Sequence, residues 1–180
     1  MSLNFYFVLS EFKDNIPVRP IQSTIHASTT KISKFLDKMI RPIFNDKCSA
    51  TTIIDSVHLL KGLHTYAKKG LLKPSTLFCS FDIRNLYTML PQEESLDILI
   101  EFLKVHGYTR VNKIDLPTIR QLASMVLQEN FFVYGKKVYK QTIGGAMGSS
   151  FTLTLANIFM SKWEEKFVSQ QTVSKEIYGR

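Results

Sequence analysis

The sequence predicts an α+β fold, with helices packed on a small antiparallel sheet. Two observations carry that expectation: several stretches repeat apolar residues at helical spacing, and two short β-type runs flank a Gly-Lys pair. A composition of 44% hydrophobic and 21% charged residues over 180 positions is that of a folded globular chain. The length suits one ordinary domain, or two small subdomains sharing a core.

Taken in order, residues 18–25 read as an extended segment, because Pro20 keeps Arg19 out of helical geometry and β-branched residues flank the pair. Ile32, Phe35, Leu36, Met39, Ile40 and Ile43 then form an amphipathic helix. Ser28 or Thr29 is its N-cap, and Pro42 disturbs its end. A second helix carries Ile53, Val57, Leu60 and His64 on one face, with Gly70 beyond its last turn. Residues 76–82, Thr-Leu-Phe-Cys-Ser-Phe-Asp, are a short apolar run suited to a buried strand that delivers Asp82 at its end.

Pro91, Glu93 and Glu94 open a helix whose core stripe is Leu96, Leu99, Ile100 and Leu103, and Gly107 lies past its end. Asp115 caps the next helix, with Ile119, Leu122, Ala123 and Val126 facing inward. Phe131–Tyr134 and Val138–Gln141 make a hairpin around Gly135-Lys136. A glycine-rich loop, Gly144-Gly145-Ala146-Met147-Gly148-Ser149-Ser150, leads into a last long helix. Its stripe is Ala156, Phe159, Met160, Trp163 and Phe167, while Glu164 and Glu165 read as solvated.

Lysine and arginine outnumber aspartate and glutamate 23 to 15, a net charge of +8. Such an excess either favours a polyanionic partner, through counterion release, or is a solvated basic surface. Two cysteines, Cys48 and Cys79, without metal-ligand spacing, predict a reduced intracellular protein without zinc. Neither a signal-peptide core nor a run of about 20 apolar residues is present, which predicts no membrane partner. No histidine pairs with a Cys or Ser nucleophile, so hydrolase triads have no support.

Four features can carry chemistry. Asp82, leaving an apolar strand, is costly to bury without compensation, and is either a magnesium ligand or a turn cap. The loop glycines permit positive φ and close backbone approach, so the loop is either a phosphate cradle or a plain hairpin-to-helix connection; it matches no Walker or dinucleotide pattern. Arg19 is either a two-pronged phosphate clamp or a surface arginine. Tyr87 is either a site residue or a core aromatic.

In their order these segments resemble reverse transcriptases. Arg19-Pro20-Ile21, Phe81-Asp82-Ile83-Arg84-Asn85-Leu86-Tyr87-Thr88, Gly144-Gly145-Ala146-Met147-Gly148-Ser149 and Leu155-Ala156-Asn157 carry the likeness. It is nearest to the Penelope-like retroelements, whose palm reads Phe-Asp-x-x-x-Leu-Tyr-Thr and later Gly-Thr-x-Met-Gly-Ser. The similarity runs from about Val18 to Arg180.

The resemblance implies a right-hand polymerase fold, with fingers and fingers–palm helices over 1–75 and a partial palm over 76–180. It implies RNA-directed DNA synthesis, with an RNA template, a DNA primer, deoxynucleoside triphosphates and magnesium. Asp82 would be the first metal-binding carboxylate, with the Ile83 carbonyl beside it. Tyr87 would be the steric gate against a 2′-hydroxyl, and Arg19 would hold the triphosphate. Gly144, Gly145, Ala146, Met147, Gly148 and Ser149 would pack on the nascent base pair and template.

Two-metal transfer needs carboxylates from two strands. In the relatives a Tyr-x-Asp-Asp turn supplies the second set, commonly after a Tyr-x-Arg like Tyr178-Gly179-Arg180. No Asp-Asp pair occurs in these 180 residues. The expectation is therefore a truncated copy, inactive alone, marginally stable and prone to associate. Two departures stand beside it. A lysine of the relatives is replaced around Ser10, with Lys13 nearby, and Ser150 stands where they carry proline. The alternatives are a non-catalytic nucleic-acid-binding module using Phe131, Phe132 and Tyr134, a degenerate relic, and a helical interaction domain. Oligomeric state, and nucleus against cytoplasm, are left open.

Overall fold

Leucine-rich helical stripes organise the core. The computed structural model describes residues 27–134 and 137–180; the expected extended segment with Arg19, and the turn residues Gly135-Lys136, lie outside them. Helix α1 (Thr30–Lys47) buries Leu36, Met39, Ile40 and Phe44. Thr29 occupies the N-cap position without a side-chain bond. Pro42 lies inside the helix and does not end it. Both Pro42 and Lys38 are exposed, so the Lys38 carbonyl left without an N–H partner faces the solvent side. Ile43 and Phe44 beyond the proline stay packed on the core, which opposes a helix penalty of about 3 kcal/mol.

Helix α2 (Ser56–Lys68) is capped by Asp55, which accepts the His58 N–H at 2.7 Å. Its expected apolar face is not its buried one: Ile53 precedes the helix, Val57 and Leu60 are exposed, and Tyr66 is buried. The Tyr66 hydroxyl donates to Glu176 at 2.7 Å, tethering the helix by the opposite side. Gly70 follows with φ +70°, as its place past the last turn requires.

The buried strand expected over 76–82 is absent. The segment is irregular, with Leu77, Phe78 and Phe81 at 85%, 71% and 90% exposure. A strand stands only if neighbours satisfy its N–H and C=O groups. None of the described strands pairs with this one. Asn85 turns the chain in the left-handed region, φ 58°, into the single-turn helix α3 (Leu86–Met89).

Helix α4 (Gln92–Val105) buries Leu96, Leu99 and Leu103 as expected, with Pro91 at the N-cap and Gly107 at φ +83° beyond the end. Strands β1 (Arg110–Val111) and β2 (Ile114–Asp115) pair antiparallel around Asn112-Lys113, both at positive φ. This hairpin has no clear sequence signal, since lysine is a poor residue for such a turn. Asp115 then caps helix α5 (Leu116–Gln128), accepting the Thr118 N–H at 3.0 Å, and Ile119, Ala123 and Val126 are buried. Strands β3 (Phe131–Tyr134) and β4 (Lys137–Lys140) form the expected hairpin, in register Tyr134 with Lys137.

Helix α6 (Ser150–Ser174) closes the fold. Its first half buries Phe151, Leu155, Ala156 and Ile158. In its second half Trp163 and Phe167 are exposed and Glu164 is buried, the reverse of the expected stripe. The result is α+β, but the helices α1, α4, α5 and α6 pack on one another. The strands form two separate hairpins, and every residue of β4 is exposed. The core joins α1, from the first 75 residues, to helices from the rest. No helix among the described residues is long and apolar enough to cross a membrane.

Candidate functional site

The glycine-rich loop is seated on the segment that carries Tyr87. Gly145 donates its N–H to the Tyr87 carbonyl at 2.8 Å, and Gly144 donates to the Leu90 carbonyl at 2.9 Å. Gly144 has φ +74°, and a Cβ there would lie 2.5 Å from the Tyr87 oxygen and 2.6 Å from Thr88 backbone atoms. Only glycine satisfies both the dihedral and the approach. A Cβ on Gly145 would meet the Thr152 side chain at 2.8 Å. The glycines here serve contact between two chain segments.

Gln92 locks the arrangement. Its side-chain amide donates to the Gly144 carbonyl at 2.8 Å and to the Leu127 carbonyl at 3.2 Å, joining the loop to the ends of α4 and α5. Behind the loop, Gln141 and Asn130 bond side chain to side chain at 2.6 Å, and Gln141 also donates to the Ile143 carbonyl at 2.9 Å. Gly144, Gly145, Ala146 and Ser149 are buried, Met147 is half-buried and Gly148 is exposed. Met147 and Gly148 are therefore the accessible part of the loop, and Tyr87, whose carbonyl Gly145 holds, is half-buried.

The start of α6 is held from α1. Ser149 makes no cap bond of its own. Ser33 accepts the Phe151 N–H at 3.1 Å and bonds the Ser149 hydroxyl at 2.8 Å, both hydroxyls being buried. One turn along, Asp37 accepts from Thr154 at 2.5 Å and from Arg41 at 2.8 Å. These contacts fix the loop's exit.

Asp82 and Ile83 stand apart from this structure. Both are exposed, on the irregular segment leading into α3. Among the described residues there is no group of three His, Cys, Asp or Glu placed to hold a metal ion. One exposed carboxylate does not make a magnesium site, so these residues do not fit the metal that the resemblance implies. Arg19 lies outside the described residues. Of the expected site residues, then, Tyr87 and the Gly144–Ser149 loop are brought together, and Asp82 precedes Tyr87 on its segment without a partner carboxylate among the described residues.

A buried polar cluster lies further along α6. Glu164 pairs with Arg180 at 3.2 Å, and Arg180 also donates to the Asn157 carbonyl at 3.1 Å and lies over the Phe44 ring. Burial, reinforced by Glu164, pushes the Tyr178 hydroxyl up to about 12. Burial likewise raises the Cys48 thiol. Residues 178–180 run beside 51–53, with Arg180 N–H to Thr51 at 2.8 Å and Ile53 N–H to Arg180 at 2.7 Å.

Sequence reasoning missed Gln92, Ser33 and Glu164. A signal existed for two. Ser33 falls on the inward phase of Leu36 and Ile40, and Glu164 continues the phase of Ala156 and Met160. A polar residue on an apolar stripe announces a buried partner. Gln92 carries no such mark. Comparison with protein-family models, curated proteins and solved structures finds no match to this chain.

Proposed function

We propose that the chain is the fingers and front part of the palm of a retroelement RNA-directed DNA polymerase. On this reading it is a scaffold for RNA template, DNA primer and deoxynucleoside triphosphate. The observation that supports it most is the docking of the Gly144–Ser149 loop on Tyr87. Two motifs distant in sequence, each weak alone, make one built contact in which glycine is sterically required. The half-buried Tyr87 lies on the segment that seats the loop, so a ligand reaching the tyrosine comes near the loop as well. The basic excess of the chain suits the polyanionic partner.

No catalytic step is assigned, because among the described residues Asp82 has no companion carboxylate. The 180-residue chain is expected not to extend a primer. The test is to sequence the transcript past the Arg180 codon and assay the continued protein on primed RNA, beside its Asp82→Ala form. An in-frame Tyr-x-Asp-Asp and magnesium-dependent incorporation lost in Asp82→Ala are the expected results. A frame continuing without that pair, or incorporation that survives Asp82→Ala, overturns a polymerase role for this copy.

A non-catalytic nucleic-acid-binding module is the second reading. The exposure of Asp82 favours it, as does the β3–β4 hairpin, where Lys140 stands over the half-exposed Phe131 ring at 5.4 Å. Binding indifferent to magnesium, nucleotide and Asp82→Ala is its signature.

A further inference from the structure

The outer face of α1 carries a basic stripe without an ion pair among the described residues. Lys31, Lys34 and Lys38 are all exposed, with Phe35 among them at 45% exposure. Spacings of three and four residues put them on one side of the helix, opposite Ser33, Leu36 and Ile40. The carboxylate within reach, Asp37, is committed to Arg41 and Thr154. Among the described residues, Arg120, Lys140 and Lys162 each have an acidic partner, whereas these three lysines have no ion pair.

The stripe works against the helix that carries it. The first turn of α1 contains no acidic residue, so Lys31 and Lys34 sit at the positive end of the macrodipole. Lys31 with Lys34, and Lys34 with Lys38, are like-charge neighbours at helical spacing, which destabilises the helix. A bound polyanion relieves both conflicts. The other side of α1 is sealed into the core, with Leu36 and Ile40 at 0% exposure, so no apolar face is free to enter a lipid surface. From Lys31 to Lys38 the helix rises about 10.5 Å, so the three ammonium groups form a row along its axis.

We propose that Lys31, Lys34 and Lys38 bind the sugar–phosphate backbone of single-stranded nucleic acid, with Phe35 stacking on an unpaired base. This deepens the reading above and rests on its nucleic-acid partner.

The test measures binding of the whole chain to a labelled single-stranded RNA across a salt series. It compares wild type, the triple Lys31→Gln, Lys34→Gln, Lys38→Gln variant, and a charge-matched control with Lys61→Gln and Lys68→Gln on α2 and Lys69→Gln at its C-terminal cap. The α1 variant is expected to lose roughly tenfold or more in affinity at low salt and about two to three units of salt slope. The α2 variant is expected to retain most of both. Phe35→Ala is expected to reduce the preference for single-stranded over duplex RNA. Equal losses in the two triple variants, or none in the α1 variant, overturn the proposal and leave the nucleic-acid reading standing. No binding by wild type, or binding to anionic vesicles only, overturns both. All these positions are exposed, so unchanged melting is the check on folding.

Discussion

The Gly145 amide donates to the Tyr87 carbonyl at 2.8 Å, with Gly144 pressed against the backbone of Thr88 beside it. This makes the stability of the loop a direct report on the Tyr87 segment. Gly144→Ala adds a Cβ where φ is +74° and backbone atoms stand 2.5–2.6 Å away. Gly70 has φ +70° with nothing within 4 Å. Gly70→Ala is expected to cost about 1–2 kcal/mol of left-handed strain, and Gly144→Ala clearly more, because backbone must move. Urea unfolding of the pair checks this; equal losses would mean that the loop is not seated on Tyr87.

Ser33 holds the first turn of α6 across the helix–helix junction, while Ser149 makes no cap bond. Ser33→Ala leaves the buried Phe151 N–H without its acceptor and is expected to cost about 1–2 kcal/mol. Ser149→Ala should cost less. A double-mutant cycle should give non-additive losses, since the two hydroxyls bond each other at 2.8 Å.

Tyr178 has its hydroxyl pushed up to about 12 by burial and by Glu164. A tyrosine that holds its proton more tightly when folded contributes stability that is fully present below about 10. That stability is lost as pH rises through about 12. Ultraviolet difference titration should show a late ionisation from Tyr178, beside that of Tyr66, whose hydrogen bond to Glu176 also raises its hydroxyl. Tyr178→Phe should remove it, and Glu164→Gln should shift it down. A Tyr178→Phe protein with an unchanged titration would contradict the placement.

Helices α4 and α5 are legible in the sequence because each has a partner on its apolar stripe, so periodicity and burial coincide. Gly107 and the Asp115 cap are legible for the same local reason. Periodicity fails where no neighbour takes the apolar face. Val57 and Leu60 follow helical spacing yet face solvent, and residues 76–82 have strand composition with no strand beside them among the described residues. In α6 the aromatic positions Trp163 and Phe167 outweighed phase, although Glu164 follows Met160 by four. The contact of Tyr87 with Gly145 is invisible to any local rule, since it joins backbone groups distant in sequence.

Residues 77–83 present Leu77, Phe78, Phe81 and Ile83 to solvent, the first three at 71–90% exposure. Apolar β-type runs left open in this way drive association between chains. The isolated chain is therefore expected to self-associate as its concentration rises. Replacing Phe78 and Phe81 together by serine should suppress light scattering while shifting the melting temperature by no more than a degree or two, because neither ring supports the core. The neighbouring Asp82 keeps its carboxylate in that variant. A large loss of melting temperature would show that the aromatic pair is packed within the monomer. Unchanged scattering would place the sticky surface elsewhere, with Trp163 and Phe167 on α6 the next pair to replace.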